Sequence, residues 1–117
     1  MHEIGVLYET IKTVEKVAEE NQIEAIAAVT LDVGELTGYL PVFFEQYYPI
    51  ITEGKKLFQN SKLIVNTVKG EALCEKCGTL YNVMRQEGCC PACHSREKKI
   101  IGGQDFLIKN IMVAENV

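Results

Sequence analysis

The sequence predicts an α+β fold in which two helices and three strands surround an inserted four-cysteine module. Apolar residues follow a helical period near the start of the chain, and they alternate with other residues in three separate segments. Four cysteines form two Cys-x-x-Cys pairs between the second and third of these segments. We therefore assign residues 1–69 and 104–117 to one domain and residues 70–103 to the inserted module.

The first predicted helix spans Ile4 to Glu20. One face carries apolar residues at intervals of three or four, and the other face is charged. Asn21 and Gln22 end this helix. The residues that define the apolar face are Ile4, Leu7, Ile11, Val14 and Ala18.

Pro41 is expected to open the second helix, because the first turn of a helix does not use the N–H group that proline lacks. Pro49 is unfavourable further along, since an internal proline removes a hydrogen bond and clashes with the preceding turn. We therefore expect this helix to end or kink near Tyr48. Its predicted apolar stripe consists of Leu40, Phe44, Tyr47, Tyr48 and Ile51.

Three segments show the two-residue alternation of strands: Glu24–Val33, Lys62–Lys69 and Asp105–Ala114. Gly34 and Gly38 mark a loop after the first of them. The module from 70 to 103 has few apolar residues at any regular period. Such a stretch needs something other than a hydrophobic core to hold it together.

Composition limits the classes of function. The chain has 117 residues, of which 47% are hydrophobic, and a net charge of −4. An acidic protein is an unlikely binder of phosphate backbones, so nucleic acid is not the expected partner. No apolar run reaches the roughly 20 residues that a membrane span needs, and no secretory signal is evident. Five cysteines without an export signal indicate a reducing compartment, and we expect the protein to be cytoplasmic.

Cys74, Cys77, Cys90 and Cys93 have the spacing of a zinc ribbon. Each Cys-x-x-Cys pair forms a tight turn that directs two sulfurs at one point, and two such turns supply four tetrahedral ligands. A site with four protein ligands has no open position, so we expect structural Zn²⁺. Iron in the same four-sulfur cage is the alternative, because ligand softness alone does not exclude it.

Two residues beside these ligands remain open to more than one interpretation. Cys89 directly precedes Cys90 and is either a bystander or a substitute ligand. His94 follows the last ligand and is either simply exposed or a partner of a ligand sulfur.

The chain closely resembles the HypA family of [NiFe]-hydrogenase maturation proteins, the nickel metallochaperones. The resemblance rests on the start Met1-His2-Glu3-Ile4, on the segment Asp32-Val33-Gly34-Glu35-Leu36 and on the following Thr52-Glu53-Gly54. It also rests on the four-cysteine ribbon, with its Cys-Pro-Ala-Cys-His-Ser sequence at 90–95. Together these features cover nearly the whole chain.

This resemblance implies a nickel-binding domain with a three-stranded sheet and two helices, plus the inserted zinc domain. It implies that Ni²⁺ is bound at the N-terminus and that His2 is required. It further implies two partners, the GTPase HypB and the large subunit of a [NiFe]-hydrogenase. Pro49 and Cys89 depart from the family pattern.

The N-terminal residues also have suitable chemistry for nickel. The Met1 amine, the His2 imidazole and the backbone nitrogen of Glu3 lie within one short chelating segment. Nickel(II) accepts tetragonal nitrogen ligands. A solvated His2, and a Glu3 that only stabilises the helix dipole, remain the alternatives.

The alternative function is a zinc-ribbon nucleic-acid-binding or transcription module. The basic residues of the ribbon favour it, whereas the net charge of the chain opposes it. The sequence contains no phosphate-binding glycine loop and no open-sited metal motif, so we expect no enzymatic activity. The basic residues concerned are Lys76, Arg85, Arg96, Lys98 and Lys99.

Overall fold

The computed structural model describes residues 2–115, so Met1 lies outside the described part. The chain divides into two compact units. The first unit consists of Met1–Asp32, Leu40–Asn66 and Leu107–Val117. The second consists of Val33–Tyr39 and Thr67–Phe106. The second unit thus takes in the last residues of the first strand and the short segment that follows them, as well as the cysteine region.

Helix α1 runs from His2 to Glu20, beginning two residues before the predicted start. Its predicted apolar face is the buried face, with Leu7 and Val14 fully inaccessible to solvent. Gln22 adopts a left-handed conformation (φ 56°). This conformation turns the chain so that the Ile23 N–H donates to the Ala18 carbonyl at 2.8 Å, which satisfies a carbonyl at the helix end.

Helix α2 runs from Pro41 to Ile51. We expected the helix to end or kink near Tyr48, and the predicted end was wrong because the helix continues past this residue. Pro49 lies in the last turn and is exposed, and the helix needs only a few hydrogen bonds beyond it. One of these is the bond from the Thr52 N–H to the Tyr48 carbonyl at 3.0 Å. Because Pro49 has no N–H, the Glu45 carbonyl receives no helical hydrogen bond from it. Glu45 is exposed, so water can donate to this carbonyl instead.

The three predicted strands are confirmed as β1 (Ile26–Gly34), β2 (Lys62–Val68) and a last strand, β6 (Phe106–Val113). They form one sheet in the order β2-β1-β6. The central strand β1 is buried along almost its whole length. Val29, Leu31 and Phe44 are fully buried, and they form the core of the first unit together with the apolar face of α1.

The second unit contains a sheet that the sequence analysis did not predict. Its strands are β3 (Glu71–Cys74), β4 (Leu80–Asn82) and β5 (Lys98–Gly102), all antiparallel in the order β4-β3-β5. Strands of three to five residues are too short to show a clear alternation. The buried core of this sheet is small and includes two of the predicted metal ligands: it consists of Ala72, Cys74, Tyr81 and Cys90.

Hydrogen bonds and close backbone contacts hold the two segments of the second unit together. A side chain at Gly34 would overlap the backbone of Gly103. The Leu36 N–H donates to the Gly103 carbonyl at 2.8 Å. The Glu35 carboxylate accepts hydrogen bonds from the Gly70 N–H at 2.8 Å and from the Asn82 side-chain amide at 3.1 Å. Glu35 therefore links the segment after β1 to both ends of the β3–β4 hairpin.

Candidate metal centres

The first Cys-x-x-Cys turn connects β3 to β4. Cys74 is the last residue of β3, and its N–H donates to the Thr79 carbonyl at 2.9 Å. The Gly78 N–H donates back to the Cys74 carbonyl at 2.9 Å. Gly78 has φ 77°, a left-handed conformation that glycine adopts without steric cost. These bonds bring the sulfurs of Cys74 and Cys77 to the same side of the turn.

The second turn repeats the same hydrogen bonds at the same spacing. The Cys90 N–H donates to the Ser95 carbonyl at 2.9 Å, and the His94 N–H donates to the Cys90 carbonyl at 2.9 Å. His94 thus occupies the position that Gly78 holds in the first turn, and it too is left-handed, with φ 65°. Its side chain is exposed. The two turns therefore share the same backbone hydrogen bonds and the same left-handed position, as expected for the two knuckles of a zinc ribbon.

The four predicted ligand sulfurs lie together. The Sγ atoms of Cys74, Cys77, Cys90 and Cys93 are all within 4.8 Å of one another. Two of the distances, Cys74 to Cys93 and Cys77 to Cys90, are 3.5 Å. Four sulfurs placed tetrahedrally at ~2.3 Å from a metal would be separated by ~3.8 Å, so the group is of the right size for a tetrahedral ion. The residues present therefore fit a four-sulfur metal site.

Hydrogen bonds lower the pKa of three of the four thiols. The Cys77 N–H is the main cause that lowers the pKa of Cys74, and the Thr79 hydroxyl, 3.1 Å away, lowers that of Cys77. Burial opposes ionisation of Cys90, but backbone N–H groups of its own turn leave its pKa below the usual value. At Cys93 a backbone N–H favours the thiolate, yet the neighbouring thiols and burial raise the pKa to about 12. Binding of a dication must therefore displace at least one proton from the group.

Cys89 is half-buried, and within residues 2–115 its sulfur is not part of the four-sulfur group. Its N–H donates to the Gln86 carbonyl at 3.0 Å, which fixes the chain just before Cys90. The bystander interpretation is the one that this placement favours.

The N-terminal candidates are placed only in part. His2 is the first residue of α1 and its side chain is exposed. The predicted amine of Met1 lies outside the described residues. Glu3 is only 8% exposed, and its carboxylate accepts a hydrogen bond from the Leu40 N–H at 3.0 Å. Leu40 is the N-cap residue of α2, so the Glu3 side chain ties the start of α1 to the start of α2.

The Glu3 contact leads to a prediction about stability. The hydrogen bond from the Leu40 N–H, followed by that from the N–H of Glu3 itself, lowers the Glu3 pKa below its usual value of 4.5. A carboxylate with a lowered pKa stabilises the fold above its unfolded pKa, and this contribution is lost as the pH falls through the folded pKa. We expect Glu3→Gln to lower the thermal midpoint by several degrees at neutral pH, and Glu3→Ala to lower it further because no acceptor remains.

The two variants are compared with the wild type by circular dichroism from pH ~7 down to pH ~3. The difference in thermal midpoint between the wild type and Glu3→Gln should stay constant as the pH falls to the usual glutamate pKa, and it should become smaller below that pH. An equal difference in thermal midpoint at both ends of this pH range would show that the charge of Glu3 does not contribute to stability. Glu9→Gln, on the exposed face of the same helix, is the matched control.

Within the part of the chain that the structure describes, no helix is both long and apolar enough to cross a membrane.

Comparison with known proteins places this geometry in a family. A family profile described as hydrogenase/urease nickel incorporation, metallochaperone, HypA matches residues 1–113. The hydrogenase maturation factor HypA of Trichodesmium erythraeum is 34% identical over 115 residues, which are 98% of this chain and 97% of that protein. That of Geobacter sulfurreducens is 30% identical over 113 residues, or 97% and 99% of the two chains.

Solved structures agree with the fold. The solution structure of the Ni metallochaperone HypA from Helicobacter pylori superposes with a TM-score of 0.66 at 22% identity, covering 97% of this chain and 98% of that one. A second solution structure of a HypA protein gives a TM-score of 0.69 at 23% identity, with 97% of each chain covered. The predicted α+β architecture, with its two helices, small sheet and four-cysteine group, is thereby confirmed.

Proposed function

Because the chain belongs to the HypA family of hydrogenase and urease nickel-incorporation metallochaperones, we propose that it binds Ni²⁺ at its N-terminus. It then delivers the ion, together with the partner GTPase HypB, to the large subunit of a [NiFe]-hydrogenase. The family match over residues 1–113 is the observation that carries this proposal. The chain acts as a carrier and not as an enzyme, and its place of action is the cytoplasm.

The position of α1 supports an N-terminal nickel site. The helix begins at His2, and the first four N–H groups of a helix have no partner within the helix. The backbone nitrogens at this end are therefore outside the helical ladder, and a metal ion can take them without breaking it. The exposed imidazole of His2 lies on the same short segment. With the Met1 amine, these nitrogens form a chelate of the tetragonal kind that nickel(II) accepts.

Glu3 contributes to this chelate through its backbone, while its carboxylate has a different role. The carboxylate is occupied by the Leu40 N–H and by the N–H of Glu3 itself. A nickel ion at the Glu3 nitrogen replaces the second of these bonds and leaves the bond to Leu40 in place. The carboxylate thus holds the chelating segment at the start of α1 while the nitrogens bind the ion.

We propose that the four-cysteine group holds Zn²⁺ as a structural ion. Cys74, Cys77, Cys90 and Cys93 would fill all four coordination positions of such an ion and would leave none open for a substrate. Zinc bound in this way supplies a fixed cross-link between the two turns. The chain's own hydrogen bonds, which favour three of the four thiolates, prepare the ligands for it.

A transfer experiment tests the delivery function. The nickel-loaded chain is incubated with a nickel-free hydrogenase large subunit and HypB, with and without GTP, in the presence of a competing chelator. We expect nickel to reach the large subunit faster from the loaded chain than from the same amount of free nickel. His2→Ala, loaded with the same nickel, should be no better than free nickel. Transfer from His2→Ala at the wild-type rate would show that delivery does not pass through the N-terminal site.

A further inference from the structure

The sheet of the second unit has one face turned to its small core and one face turned to solvent. Ala72 and Tyr81 lie opposite each other in β3 and β4, and both are buried on the core side. The next opposed pair, Leu73 and Leu80, points to the other face, because side chains alternate along a strand. Leu73 is 40% exposed and Leu80 is 53% exposed. Two neighbouring leucines thus form an apolar contact surface on the solvent side of the sheet.

A cavity of about 490 Å³ adjoins the leucine pair on the same face. It includes Glu71 and Asn82, which form the opposed pair two residues along from the leucines. The other residues that line it are Glu35, Lys69, Met84 and Arg85. Two residues of a strand span roughly 6.5 Å, so the apolar pair and the cavity are separated by the distance between alternate side chains of an extended chain.

The charged groups of the cavity favour a single carboxylate as the ligand. The Glu35 carboxylate already accepts two hydrogen bonds from groups of its own unit. Lys69 and Arg85, by contrast, form no ion pair with any residue from 2 to 115. These two cations can therefore take a carboxylate from another molecule. A phosphate backbone fits less well, because the Glu35 and Glu71 carboxylates would repel the series of charges that it carries.

The free edge of β4 allows such a molecule to bind in an extended conformation. The Cys74 N–H donates to the Thr79 carbonyl, and the Val83 N–H donates to the Gly70 carbonyl. Thr79 and Val83 thus bond towards β3, and backbone groups alternate in direction along a strand, so the N–H and C=O of Leu80 point away from β3. Among the described residues β3 is the only neighbour of β4 in the sheet. The backbone of Leu80 is therefore available to one residue of an added strand.

We propose that this face binds an extended segment of a partner protein in which an apolar residue and an acidic residue are two positions apart. When the segment lies beside β4, its apolar side chain is next to Leu80 and its acidic side chain is next to Asn82, since cross-strand neighbours share a face. The Arg85 N–H donates to Oδ1 of Asn82 at 2.8 Å, so Arg85 lies beside the position of the acidic side chain. Glu71 is one strand further away, in β3, where it repels the carboxylate less.

This surface is separate from the proposed nickel site. All of its residues belong to the second unit, whereas Met1, His2 and Glu3 belong to the first. The segment should therefore bind His2→Ala as well as it binds the wild type. Failure of this proposal would leave the nickel proposal unaffected, and the reverse also holds.

A titration followed by nuclear magnetic resonance tests the proposal on the isotopically labelled, metal-loaded chain. The probe is a capped hexapeptide of glycine and threonine that carries one leucine and one glutamate two positions apart. We expect a dissociation constant of about 1 mM, because the contact is small, and shifts of the backbone amides of Leu73, Leu80 and Arg85. A second peptide, with lysine in place of the glutamate, should bind about threefold to tenfold more weakly.

Arg85→Glu reverses the charge beside the acidic position. It should bind the glutamate peptide about threefold to tenfold more weakly than the wild type does, and it should bind the lysine peptide more tightly. Arg96→Glu is the matched control, because Arg96 is an exposed cation of the same unit that does not line the cavity. The amide spectrum of each variant shows directly whether it is folded.

Four results would overturn the proposal. They are no binding of the glutamate peptide up to about 10 mM, equal binding of the two peptides, equal weakening by Arg85→Glu and Arg96→Glu, or tighter binding of a single-stranded oligonucleotide at the same amides. A preference for the glutamate peptide that Arg85→Glu inverts and Arg96→Glu leaves unchanged supports the proposal, because it places the carboxylate of the segment beside Arg85.

Discussion

One glycine added before Met1 is expected to lower the affinity of the chain for nickel(II) by roughly 100-fold, as when one arm of a multidentate complex is lost. The addition moves the terminal amine away from the chelating segment and leaves every side chain in place. A site made of side chains alone would tolerate the change. The measurement is a nickel titration with a competing chelator, beside a determination of the metal held by the four cysteines.

His2→Ala is expected to have an effect of similar size, because it removes the imidazole from the same chelate. Gly5→Ala is the matched control: it keeps the terminal amine, and among the described residues no atom beyond the adjoining residues and the backbone of its own helix lies within 4 Å of the added methyl group. Affinity should also fall as the pH drops, since amine and amide nitrogens must lose protons before they bind. Undiminished affinity in the glycine-extended chain would rule out the N-terminal chelate and make His94 and Cys89 the next candidates.

Much of the fold was predictable because it depends on local patterns. The apolar period of α1 reflects a face turned to the core, and the structure buries that face. The alternation in the three segments correctly predicted strands, although β1 is buried on both faces and β2 and β6 have alternate side chains that are only half-buried. The four-cysteine group was predictable for a related reason. A Cys-x-x-Cys turn is a local geometry, and two of them leave few ways to arrange four sulfurs.

The features that the sequence did not predict depend on contacts between distant segments. The Glu3 carboxylate meets the Leu40 N–H across 37 residues, and the Glu35 carboxylate meets Gly70 and Asn82 across 35 and 47. Contacts between residues so far apart produce no recognisable pattern in the local sequence. Both are acids that a pattern analysis assigns to a helix start or a solvated loop, whereas in the structure each accepts a backbone N–H.

The expected end of α2 was wrong for a physical reason. The cost of an internal proline applies to the hydrogen bond and the carbonyl one turn before it. At Pro49 the carbonyl concerned belongs to Glu45, which is exposed, and the helix ends two residues after the proline. The destabilisation expected of a proline in the interior of a helix therefore overestimates the cost of a proline in the last turn.

Replacing Cys77 by alanine should release the bound metal and unfold the second unit, while the first unit stays folded. The core of the second unit consists of Ala72, Cys74, Tyr81 and Cys90, so two of its four buried residues are themselves ligands. In zinc-binding peptides the metal contributes on the order of 10–16 kcal/mol, which is the main source of stability where so little apolar surface is buried. Three remaining thiolates cannot hold the ion in the same closed site.

The first unit has its own core, and this is why it should survive. Leu7, Val29 and Phe44 are fully buried and belong to that unit alone. Amide hydrogen exchange distinguishes the outcomes: protection should be lost in β3, β4 and β5 and kept in α1 and β1. Cys89→Ala is the matched control, since it removes the neighbouring thiol from outside the four-sulfur group and should retain both the metal and the protection. Equal loss of protection in both units would mean that they unfold as one cooperative structure and that the metal stabilises the whole chain.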